Sequence, residues 1–138
     1  MEEYDPRSLP DVDTVEIVDL REINPNSASE YMQLADSAPV VKCDHKSSKY
    51  LAKVWRALTP GTSSRCHVPS IGLRFIVESK CVCEASVCWM CDNIFGVFDG
   101  EGFSYAFTGD GTAGYEPFLT VKSVVGEEML KRETERDL

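Results

Sequence analysis

Cys66-His67 and, after an interval of 20 residues, Cys88-Trp89-Met90-Cys91 are the residues whose types and spacing could do chemistry. Two thiolates separated by two residues can reach one metal ion, and a further Cys or His completes a tetrahedral zinc site. Cys66, His67, Cys88 and Cys91 are therefore the candidate zinc ligands. Side chains of adjacent residues on an extended segment diverge, so a set with three protein ligands and an open position is the alternative to a full set of four. The paired CxxC of a zinc ribbon is absent. The same CxxC admits a thiol-redox reading, but that chemistry wants the motif after a strand of a βαβ unit, at the start of a helix that lowers the thiol pKa. The third reading is structural, because cysteine is among the most buried residue types. Cys81 and Cys83 alternate in phase with Ala85 and Val87, which places them in the core as small hydrophobes.

Other constellations carry less. Gly109-x-Gly111-x-x-Gly114 has the spacing of a dinucleotide-binding turn, but the fingerprint needs a parallel βαβ unit, and only a helix pattern and a charged tail follow. His45 stands beside Cys43 and Asp44, yet no GxSxG, HExxH or P-loop pattern occurs. No residue set for catalysis emerges, and the expected cofactor content is none, or zinc at the cysteine cluster.

These residues must be held by a small number of elements. Val15 to Leu20 reads as a strand. Ser27 with Glu30 resembles a capping box and predicts a short helix near 28–35. Residues 47–58 place Leu51, Val54, Trp55 and Leu58 on one stripe, with Lys49, Lys53 and Arg56 off it, which predicts an amphipathic helix ended by Thr59-Pro60-Gly61. Period-two alternation follows: Leu73, Phe75 and Val77, a turn at Ser79-Lys80, then Cys81 to Val87. Ile94 to Phe98, the Asp99-Gly100 turn signal and Phe103 to Phe107 complete four sequential strands. Glu116-Pro117 and the apolar spacing of Phe118, Val121, Val125 and Met129 predict a last helix over 115–129. The expected fold is α+β: a mainly antiparallel four-stranded meander packed against two or three helices. It forms a single domain over 1–138, with a flexible acidic arm (1–13) and a charged tail (131–138).

The chain of 138 residues carries a formal charge of −9. Residues 1–45 hold eleven acids and three bases, whereas residues 46–80 hold seven bases and one acid. An acidic chain is repelled by phosphate backbones, which argues against nucleic acid as a partner, and favours association with basic proteins. No apolar run is long enough to span a membrane. The N-terminus lacks the basic and apolar regions of a secretory signal, so reduced cysteines and a cytoplasmic location are expected. The leading functional expectation is a non-catalytic acidic module that binds a basic protein, in the manner of an immunity or antitoxin inhibitor. Asp11, Asp13, Glu16 and Asp19 are its expected exposed contacts. The alternative is a zinc or thiol-redox protein using the Cys-His and CxxC residues.

Overall fold

Among the described residues, six strands form one antiparallel sheet: Thr14–Asp19 (β1), Val40–Lys42 (β2), Ile71–Val77 (β3), Lys80–Cys88 (β4), Asn93–Phe98 (β5) and Glu101–Ala106 (β6). Their spatial order is β2-β1-β3-β4-β5-β6. The computed structural model describes residues 4–27, 30–61, 67, 69, 71–88 and 93–107. The meander expected from the sequence is β3 to β6. The sheet is wider than a meander because β1 pairs with β3 along six residue positions, Thr14↔Ile76 to Asp19↔Ile71, and β2 then pairs with β1. Val40 and Val41 follow Pro39 too closely to read as a strand in isolation. Pairing with β1 supplies the backbone partners that a three-residue edge strand needs.

The expected α+β class, with two or three helices against four strands, is thus corrected: the described chain is mostly sheet. Among the described residues there is one α-helix, His45–Arg56 (α1). Near 28–35 the chain forms instead a 3-10 helix, Met32–Ser37. Its buried residues, Met32 and Ala35, are three apart, which matches three residues per turn and gives no four-residue stripe to sustain an α-helix. The predicted helix at 115–129 and the tail at 131–138 lie outside the described residues.

Helix α1 connects β2 to β3 and packs on β1. It begins two residues earlier than its apolar pattern suggested because Asp44, not Ser47 or Ser48, is the cap: its carboxylate accepts the Ser47 N–H at 2.7 Å. Ser48 has a different task. It is buried, and its hydroxyl accepts the Val15 N–H at 2.8 Å, which ties the helix to the first strand. Leu51, Ala52, Trp55 and the post-helical Leu58 meet Val15, Ile17, Leu73, Phe75, Cys83, Ala85, Val87 and Ile94 in the main core.

The N-terminal segment belongs to this core. Asp5 caps a 3-10 turn, Pro6–Ser8, and Leu9 and Val12 are fully buried. Tyr4 stacks on Phe103 with ring centroids 3.7 Å apart. Its hydroxyl accepts the Trp55 Nε1–H at 2.7 Å. From Tyr4 onward the acidic segment thus contributes aromatic and aliphatic side chains to the core.

The opposite face of the sheet has a smaller core, in which Val18 and Leu20 pack under Met32 and Ala35. Among the described residues, segment 30–38 lies over part of that face and reaches Arg74 through Asp36. Glu16, Glu84 and Val97 lie on the same face.

A register shift between Phe75 and Ile76 moves β4 by one residue. Phe75 and Cys83 stay opposite each other in the core, while Cys81 becomes exposed. The expectation that both cysteines share the core is therefore correct for Cys83 alone. The β3–β4 turn lies at Glu78-Ser79, one residue before the expected place, with φ of 50° and 69°.

Candidate functional site

Three polar side chains converge where the chain enters β3 and where β4 and β5 meet. His67 precedes β3, Ser86 lies on β4, and Asn93 opens β5 directly opposite Cys88. His67 Nδ1 is 2.7 Å from Asn93 Oδ1, and Nε2 is 2.7 Å from Ser86 Oγ. With Asn93 Oδ1 as acceptor, the imidazole proton is on Nδ1, and Nε2 accepts the Ser86 hydroxyl. The carbonyl of Phe95, 3.2 Å from the same hydroxyl, is the longer alternative for that hydrogen. The imidazole packs against the Phe95 ring at 4.5 Å and meets the Tyr31 ring edge-on at 5.8 Å. Burial pushes its pKa below the ordinary histidine value, and the Asn93 hydrogen bond only partly offsets this. The imidazole is held neutral, since desolvation penalises its charged form.

A hydroxyl on one imidazole nitrogen and an amide oxygen on the other is the order of nucleophile, base and orienting group. Access decides against that use. Ser86 is 1% exposed, Asn93 4% and His67 8%, so the oxygen that would attack is sealed under the sheet's second layer. What the array does is satisfy three buried polar groups at once and fasten His67 to the second sheet face.

The candidate zinc ligands divide. His67 is brought beside Asn93, the cross-strand neighbour of buried Cys88. Both imidazole nitrogens are occupied by hydrogen bonds. Cys66 and Cys91 lie outside the described residues. Among the described residues no group of three or more His, Cys, Asp or Glu side chains is arranged to hold a metal ion.

The sequence did not single out Ser86, Asn93 or Tyr31. Alternation along β4 assigns Ser86 to the face away from the main core, which on a two-layer reading is the wet face. Only the return of segment 20–38 over that face makes it an interior position. No local pattern announces that return.

The candidate contact acids also divide. Asp11 and Asp13 are exposed and lead into β1. Asp11 lies 3.7 Å from Arg56 with its carboxylate 98% exposed. Asp13 Oδ2 accepts the Glu78 N–H at 2.7 Å, which locks the start of β1 to the β3–β4 turn. Glu16 is half-buried on the second sheet face, opposite both Lys42 and Arg74. Asp19, expected at the surface, is 8% exposed at the far end of β1, where Arg21 engages both its oxygens at 2.9 and 2.7 Å. Its position after Ile17 and Val18 in a strand buried on both faces overrides its polarity.

Topology adds acids that the sequence placed apart. Thr14 pairs with Ile76 at the end of β3, and both tight turns, Glu78-Ser79 and Asp99-Gly100, close the same end of the sheet. Exposed Asp13, Glu78, Asp99 and Glu101 therefore gather there, with Lys80 as the base among them. No helix among the described residues is long and apolar enough to cross a membrane. Compared with known proteins, the chain matches no protein-family model, no curated protein and no solved structure.

Proposed function

We propose that the protein is a non-catalytic binding module that captures a basic protein partner through the acidic end of its sheet, with an immunity- or antitoxin-type inhibitor as the specific form of that reading. The observation that carries it is the convergence of exposed Asp13, Glu78, Asp99 and Glu101 at one end. These four carboxylates are exposed on or beside tight turns, with Lys80 as the base among them, so that end of the sheet carries a net negative field. Such a field raises the association rate with a positively charged surface and fades with salt.

The test uses a triple variant, Glu78→Gln, Asp99→Asn and Glu101→Gln. Asp13 is left in place because its carboxylate holds the β3–β4 turn. Basic proteins retained by the wild-type chain at low salt should be lost by the variant, at unchanged thermal stability. Equal recovery of the same proteins by both chains would overturn the reading.

A further inference from the structure

One row of residues runs in register across all six strands: Lys42, Glu16, Arg74, Glu84, Val97 and Gly102. Over the first four strands the charges alternate, positive, negative, positive, negative. Neighbouring strands are about 4.8 Å apart, so each charge has an opposite charge beside it. Arg74 is the best-held member. Its Nε is 3.2 Å from Glu84 Oε2, and its Nη2 is 3.0 Å from Asp36 on the 3-10 helix.

The alternation breaks at β5. The position beside Glu84 that would continue it with a cation is Val97, which is 40% exposed and is followed across the sheet by Gly102. A groove of about 490 Å³ opens there, with Val82, Glu84, Val97 and Asp99 among its walls. It has an apolar floor, a carboxylate at the sheet and another at the turn, and Lys80 on its rim.

We infer that this groove receives an arginine side chain of the basic partner, its stem over Val97 and its guanidinium between Glu84 and Asp99. The inference deepens the proposed function and rests on it. Charge complementarity selects the occupant: Arg74 engages Oε2 of Glu84 from one side, and a second guanidinium on the other side continues the alternation. The planar fork of arginine suits paired carboxylates, and its weak hydration tolerates an apolar floor better than the ammonium of lysine does. Within the chain, Arg74 between Asp36 and Glu84 already shows the same mode of capture.

The probe is a capped hexa-arginine peptide, titrated at low salt into the isotope-labelled full chain and followed by amide chemical shifts. Saturable shifts should centre on Val82, Glu84, Val97 and Asp99. Val97→Arg places the chain's own guanidinium in the row and should weaken the peptide about tenfold, the loss of one well-made charge-assisted contact. Ser104→Arg adds the same charge on the neighbouring strand outside the groove and should weaken it less than about threefold. Melting curves of both variants confirm that they are folded. If Val97→Arg binds as tightly as Ser104→Arg, or if the shifts fall on Asp13 and Glu78 instead, the groove inference is overturned while the acidic-module reading stands. No shift anywhere at low salt overturns both.

Discussion

His67 Nε2 and Ser86 Oγ lie 2.7 Å apart, and both residues are buried. The imidazole is held from the other side by Asn93, so removing it takes one hydrogen bond from each of two buried polar groups, while Ser86 keeps the Phe95 carbonyl at 3.2 Å. His67→Ala is expected to lower stability by about 1–3 kcal/mol in all. A denaturant midpoint that stays at the wild-type value would show that these hydrogen bonds do not contribute to stability.

The same imidazole makes stability depend on pH. Its folded pKa lies below the unfolded value of about 6.5 because burial penalises the cation. The unfolded chain then binds a proton that the folded chain refuses, so stability is lost as pH falls from about 6.5 toward the folded value. Between about pH 7.5 and about pH 5.5 the wild type should lose more stability than His67→Gln, which has no proton to take up. Parallel losses in the two chains would place the pH sensitivity elsewhere.

Tyr4 is an anchor of the main core although it stands only four residues from the start of the sequence. Its hydroxyl accepts the Trp55 Nε1–H, and burial raises its pKa. Tyr4→Phe keeps the stack on Phe103 but leaves the indole N–H without that partner, a cost of about 1–3 kcal/mol. Tyr4→Ala also loses the stack and should cost about 3–5 kcal/mol, as large aromatic truncations in cores do. Thermal melts of the two variants separate hydrogen bond from packing.

Cysteine reactivity should follow the register shift in β4. Cys43, Cys83 and Cys88 are buried, and burial pushes the Cys83 thiol up to about 12. Cys81 is exposed, yet partial burial and then Glu84 raise its pKa as well, which keeps it largely a thiol at neutral pH. Within the described residues, alkylation of the native protein should mark Cys81 first. It should be slow near neutrality and faster as pH rises, because the thiolate is the nucleophile. Peptide mapping that finds Cys83 labelled before Cys81 would contradict the shifted register.

The Glu78-Ser79 turn has both residues at positive φ without a glycine. Hairpin turns of that shape favour glycine at the second position. Ser79→Gly should stabilise the protein by up to about 1 kcal/mol by relieving the left-handed backbone at φ 69°. The substitution leaves Glu78 and its neighbours charged, so partner binding should not change. A fall in melting temperature would mean that Ser79 holds the turn in some further way.

Local regularities alone determined the meander, α1 and the place of the Asp99-Gly100 turn. Leu51, Val54, Trp55 and Leu58 repeat at helical spacing, and Phe103 and Tyr105 alternate at strand spacing, because each element must turn one apolar side inward. Tertiary structure decided the rest. Val40–Lys42 is a strand only because β1 stands beside it. Met32 and Ala35 form a second layer only because Val18 and Leu20 lie beneath them. The burial of Ser86, His67 and Asn93 follows from that layer, and so do the hydrogen bonds on both nitrogens of the His67 imidazole. Glu78, Asp99 and Glu101 become neighbours only when antiparallel pairing brings two turns to one end. Pairing between distant segments leaves no period in the sequence, so the charged row from Lys42 to Glu84, and the acidic end beside it, exist only in the folded sheet.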